Sequence, residues 1–147
     1  MTDVSRLQLR QGQRRGDRVV AMLVTVIADA VVFLIATLGF GQQLQAPGFG
    51  GSAPQELSTW LVAATAGIAG LAATGVLALI ERNSRRPAQV WLVVATTVLI
   101  LSLGAPISGE GIGTANKLWL ASMHLTAGAV LIPLLYRSAR LRQQQNQ

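Results

Sequence analysis

Two ionisable side chains lie where such side chains are rare. Asp29 falls inside the apolar run Val19 to Phe40, and His124 inside the run Leu118 to Tyr136. An acid in the middle of an apolar helix is costly to place in hydrocarbon, so it turns toward protein or a cavity and requires a partner or a proton. At about 1.5 Å of rise per residue, Asp29 sits about 15 Å from Val19 and His124 about 18 Å from Tyr136. Antiparallel helices would bring the two to similar depth, and a contact between them is allowed by the spacing alone. In such a pair Asp29 would donate or accept a proton, or anchor a ligand, while His124 set its charge state. The competing reading is an interhelical hydrogen bond that only fixes helix packing, worth well under about 2 kcal/mol.

The neighbours of each residue on its own helical face extend the site. Thr25 and Phe33 lie one turn to either side of Asp29, with Met22 and Ala36 on the same stripe. Leu120, Ala121, Ala127, Gly128 and Leu131 share the face of His124. Thr25, Phe33, Ala121 and Gly128 are therefore the candidate ligand-lining residues, because small side chains beside a polar pair admit a flat lipophilic molecule or the backbone of another helix. Three functions fit this constellation. One is a binding protein that holds a lipophilic small molecule or a membrane-protein partner. A second is an enzyme using Asp29 as a general acid on an isoprenoid-type substrate, a cyclase or isomerase; that chemistry needs aromatic walls, and the chain has only three Phe, three Trp and one Tyr. The third is an assembly subunit in which the pair is purely structural.

Other chemistries are excluded by what is missing. The chain has no cysteine and a single histidine, so it has no disulfide, no thiol nucleophile and no complete metal-ligand set, and no cofactor is expected. It contains no glycine-rich phosphate loop and no serine-centred nucleophile motif. A net charge of +6 does not indicate nucleic acid, because the basic residues sit in clusters that flank apolar runs.

The elements that must position these residues are four apolar runs, 19–40, 57–80, 90–107 and 118–136. Each approaches the roughly 20 residues that cross about 30 Å of hydrocarbon as a helix. With 51% hydrophobic residues among 147, lipid must be part of the solvent. The fold expected is all-α, a single domain forming a four-transmembrane-helix bundle of up-down-up-down topology. Gly104 and Pro106 are expected to end the third helix near Leu103. Arg6, Arg10, Arg14, Arg15 and Arg18 precede the first run, Arg82, Arg85 and Arg86 follow the second, and Arg137, Arg140 and Arg142 follow the fourth, whereas only Lys117 falls on the other side. The positive-inside rule then places the tails 1–18 and 137–147 in the cytoplasm and the protein in the cytoplasmic membrane, multi-pass, with the bilayer as its first partner and a homo-oligomer as a further one. The first run carries Asp29 and lacks a small-x-small cleavage site, so it reads as a retained span and not a signal peptide.

Smaller features complete the reading. The outer loop, with Gln42, Gln43, Gln45, Pro47, Gly48, Gly50, Gly51, Ser52 and Pro54, favours turns over the bundle mouth. The tail from Arg140 to Gln147 is expected to be disordered or a short helical extension. Ala66, Gly70, Thr74 and Ala78 form a small-residue stripe expected to face a neighbouring helix of the same bundle. Trp60, Trp91, Trp119 and Tyr136 are expected at the lipid–water boundary, and Glu81 with Arg82 in a solvated cluster.

Leu101, Ser102, Leu103 and Pro106 near the end of the third run, and Met123, His124, Ile132 and Pro133 in the fourth, resemble the Ser-Leu-x-x-Pro and Met-His segments of a family of small uncharacterised four-helix membrane proteins found mainly in actinobacteria. Leu79, Ile80, Glu81 and Arg82 resemble that family's ending of helix two, while Asp29 is not matched to a position of its pattern. The resemblance covers most of the chain and implies the same topology. It brings no activity with it.

Overall fold

The apolar faces of the helices determine both their lengths and their arrangement. The computed structural model describes residues 3–47 and 53–145. Gly48, Gly50, Gly51 and Ser52 of the loop after the first run, and Gln147 of the tail, lie outside the described residues, as do the side chains of Arg6, Arg10, Arg14 and Arg15. Four α-helices form the chain: α1 Asp3–Leu34, α2 Thr59–Asn83, α3 Pro87–Ser108 and α4 Thr114–Gln145, with a π-helical turn at Ile35–Gly39 closing the first. Stretches long and apolar enough to cross a membrane cover Arg18–Gly39, Thr59–Asn83, Pro87–Ser108 and Thr114–Gln144. Leu23, Ile27, Leu71, Val93, Ile100 and Leu125 stand exposed on the outside of the bundle, a surface suited to lipid and not to water.

Contacts between helix ends establish the alternation of direction. Arg18, at the start of the first span, meets Glu81 near the end of α2, and Arg142 near the end of α4 meets the same carboxylate. Gln45, just beyond α1, is bonded to Asn116 in the first turn of α4. Trp91, near the start of α3, reaches the carbonyl of Ile132 in the second half of α4. One end of the bundle is therefore rich in arginine and the other carries the hairpin described below. α1 packs against both α2 and α4, and α3 packs chiefly on α4, whereas the seam between α2 and α3 is slight.

Helix ends differ from the sequence expectation in informative ways. α3 does not stop near Leu103 but continues to Ser108 with Pro106 inside it and buried. A proline this close to the end removes one backbone donor, and nearby carbonyls are met by side chains: Ser108 Oγ donates to Gly104 at 2.6 Å and Lys117 Nζ to Ile107 at 3.2 Å. α4 runs through the arginine- and glutamine-rich tail to Gln145, a composition with good helix propensity, so the helical extension is the form the described tail takes. The segment before Arg18 is likewise a continuation of α1.

Two apolar clusters hold the bundle, one toward each end. Near the arginine-rich end, Ala21, Leu77, Ala88, Trp91, Leu131, Leu135 and Ala139 come together. At the other end the cluster is Phe33, Ala36, Leu44, Val62, Ile112, Leu120 and Met123. Leu44 belongs to the loop between α1 and α2, so the described part of that loop lies over the bundle mouth at this end. Its residues Gln45–Ala46 (β1) and Gln55–Glu56 (β2) form a two-residue antiparallel ladder, and Leu57 N–H donates to Leu44 O at 2.8 Å.

The hairpin is pinned by one buried amide and two close approaches. Asn116 Nδ2 donates to Gln45 O at 2.8 Å, and Gln45 N–H donates to Asn116 Oδ1 at 3.2 Å, so the side chain pairs with backbone as a neighbouring strand would. A Cβ at Gly109 would lie 2.8 Å from Pro47 Cβ, and Gly111, at φ +77°, sits beneath Pro54. Bulk at Gly109 would push the hairpin off.

The expectation for Trp91 is corrected. It is 3% exposed and its indole Nε1–H donates to Ile132 O at 3.2 Å, so it is a core residue joining α3 to α4. Trp60, 71% exposed, keeps a position suited to the lipid–water boundary. Trp119 packs against Phe40 with ring centroids 5.3 Å apart.

Candidate functional site

The stripe that begins at Ala21 continues through Thr25, Asp29, Phe33 and Ala36, all buried, at intervals of four and three residues along α1 and into the π-helical turn that closes it. This spacing keeps them on one helical face, the face α1 turns to its neighbours. Ala21 belongs to the cluster at the arginine-rich end, and Phe33 and Ala36 to the cluster at the hairpin end. Thr25 and Asp29 are thus the layer between them, with apolar side chains closing the bundle on both sides.

Asp29 is 6% exposed, and its Oδ1 is buried with no hydrogen-bond partner. Thr25, fully buried one turn away, gives its hydroxyl hydrogen to the carbonyl of Ala21 at 2.9 Å and leaves Asp29 unassisted. His124 is half-buried, and its Nδ1 lies 2.8 Å from the carbonyl of Leu120 one turn back on its own helix. That bond makes Nδ1 the protonated nitrogen. Among the described residues no hydrogen bond or ion pair joins Asp29 to His124; the geometry puts both in the bundle without pairing them.

The small residues divide between contact and opening. Leu99 Cδ2 of α3 lies 2.6 Å from where a Cβ on Gly128 would be, so the space beside this glycine is filled by a neighbouring helix and not left for a ligand. Met22 Cγ of α1 stands 3.0 Å from the Cβ position of Gly70, and Ala66 is buried with it, so the stripe on α2 serves an internal interface at these two positions. Ala78 departs from that stripe and is exposed. Ala121 is half-buried. Phe33 is committed to the cluster around Leu44 and Val62.

A second polar centre was not expected. Glu81 does not sit in a solvated cluster: its side chain is 1% exposed and receives Arg18 Nη2 at 2.8 and 2.7 Å on its two oxygens, and Arg142 Nη1 on Oε2. Arg18 and Arg142 come from α1 and α4, so three helices meet on one carboxylate. The residues are 63 and 61 positions from Glu81, and nothing local in the sequence points to the match. The one available signal was period: Leu77 and Glu81 continue the buried face of α2 that passes through Val62, Ala66 and Gly70.

No three His, Asp or Glu side chains converge among the described residues. What the arrangement offers is one saturated carboxylate at the arginine-rich end and one carboxyl with an unused oxygen at mid-bundle.

Lipid-facing helices on every side of these two centres define a multi-pass membrane protein of the four-helix type. Residues 9–141 match the model of a family of unknown function, DUF6069, and the chain belongs to that family. No curated protein and no solved structure matches it.

Proposed function

We propose that the protein is a binding protein of the cytoplasmic membrane that holds a lipophilic small molecule through a hydrogen bond to Asp29. The observation that carries this reading is the buried, unpartnered Oδ1 of Asp29. Nearly all buried polar atoms in natural proteins are satisfied, and of the two left over among the described residues, Arg18 Nε belongs to a guanidinium already bonded to Glu81, whereas Asp29 has no bond of its own and is open to a ligand's donor. The apolar clusters on both sides of the Thr25–Asp29 layer support a ligand that travels in lipid, since a water-borne solute would have to cross one of them. The slight α2–α3 seam supports lateral arrival. The distribution of arginine supports placing the Arg18–Glu81–Arg142 end, and with it both chain ends, in the cytoplasm.

Binding is favoured over acid catalysis by Phe33. Its ring packs in the hairpin-end cluster and is the one aromatic in the stripe Ala21, Thr25, Asp29, Phe33 and Ala36, a thin wall for a carbocation. The test is mass spectrometry of small molecules that copurify with wild type and with Asp29→Asn at matched yield and folding. A molecule present with wild type and lost from the variant is the expected result. Identical small-molecule contents in the two preparations would overturn the proposal.

A further inference from the structure

A groove of about 330 Å³ opens at the arginine-rich end between the start of α3 and the end of α4, lined by Ala88, Gln89, Tyr136, Arg140, Gln143 and Gln144. Its volume is at the lower end of the roughly 300–1,000 Å³ that ligand sites occupy. The floor is apolar near Ala88 and the ring of Tyr136, both of which pack with the Trp91 cluster. The rim carries one guanidinium, three amides and a phenol hydroxyl. It has no acid of its own.

The charge balance at this end makes that rim selective. Glu81 is the one carboxylate at this end among the side chains the structure describes, and it is already taken by Arg18 and Arg142. Arg140 is exposed and has no ion-pair partner among the described residues, and Arg85 and Arg86 lead directly into the groove's α3 wall. A guanidinium with no carboxylate partner among the described residues, above an apolar floor and beside a helix whose outer surface faces lipid, matches a molecule with an anionic head and an acyl tail.

We infer that the α3–α4 groove is a binding site for the headgroup of an anionic phospholipid. Arg140 takes the phosphate. Gln89, Gln143 and Gln144 offer donors and acceptors to the polar group beyond it, and the acyl chains run down the exposed face of α3. The site is separate from Asp29 and does not depend on what Asp29 binds.

The test is native mass spectrometry of the full chain released from phosphatidylcholine bilayers containing a minor fraction of phosphatidylglycerol. Wild type is expected to retain one phosphatidylglycerol in preference to phosphatidylcholine. Arg140→Gln should lower that retention about fivefold, the effect of one basic residue near a lipid surface. Gln89→Trp, which fills the groove without changing charge, should lower it too. Arg82→Gln removes the same charge outside the groove and should leave retention near wild type. Equal losses in Arg82→Gln and Arg140→Gln would reduce the effect to diffuse surface attraction and overturn the site. Displacement of the lipid by millimolar inorganic phosphate would assign the groove to free phosphate and overturn it as well.

Discussion

Glu81 and Asp29 are both carboxyl groups enclosed by helices, and the bundle treats them in opposite ways. Around Glu81 three helices converge, each contributing a charge or receiving one, and both oxygens are bonded. Around Asp29 the nearest hydroxyl, that of Thr25, bonds elsewhere, and Oδ1 is left without a partner. A buried carboxylate with two arginines is part of how the fold is held; one with an idle oxygen contributes little to holding it. Burial of an acid is thus not by itself a mark of function. The state of its hydrogen bonds separates the two cases.

The largest effect that would sharpen this contrast is expected at Glu81. Glu81→Ala strands Arg18 at a part-buried position and should cost about 3 kcal/mol, the low end for a broken buried pair because the arginines retain some exposure. Thermal unfolding in detergent would register it, and an unchanged midpoint would mean that the cluster is not a clamp. Next comes Gly128→Val, expected to cost about 2 kcal/mol because Leu99 already fills that space. A stable Gly128→Val variant would show room beside His124 that helix packing does not use.

Within the clamp, Arg18 and Arg142 should differ. Arg18 contacts both oxygens and is 19% exposed, while Arg142 contacts one and is 37% exposed. Arg18→Gln should cost about 1.5 kcal/mol and Arg142→Gln less than about 1 kcal/mol, after allowance for solvent screening of the more exposed pair. Reversal of that order in the same unfolding assay would shift the centre of the clamp from α1 to α4. The smallest effect is expected at Asp29: Asp29→Asn removes no hydrogen bond made among the described residues and keeps the shape of the side chain, so it should change stability by less than about 1 kcal/mol. A loss comparable with that of Glu81→Ala would make the two carboxyl groups alike and end the comparison.

Much of this was legible in the residues alone. The four spans and the inward stripe of Thr25, Asp29 and Phe33 follow from length and from four-residue spacing, which act along one helix. That Gly70 lies in a helix interface was equally readable from the small-residue stripe, though not that α1 supplies the other side. Pairings between helices were not. Arginines that set topology and arginines that bond a carboxylate have the same local sequence, so Arg18 and Arg142 could not be told from Arg82 and Arg85. Trp91 misled for a similar reason: a tryptophan near a span's end reads as an interfacial anchor, and only the neighbouring helix decides whether its face is covered. Asn116 carries no signal at all until the backbone of Gln45 is brought opposite it. The histidine at mid-helix gave depth, while its direction depended on the carbonyl of Leu120.

The three-way meeting at Glu81 also bears on how the chain is made. Arg18 and Glu81 both exist once the second helix has left the ribosome, so the α1–α2 hairpin can close half of the clamp while the rest is still being synthesised. Arg142 arrives 61 residues later, on the helix that also carries most of the contacts of α3. Until then Glu81 holds one arginine instead of two, and α3 has little to rest on. Docking of the fourth helix therefore does two things at once: it gives its predecessor a surface to rest on and adds the second arginine to the first pair, so that α4 acts as the bolt for the whole bundle.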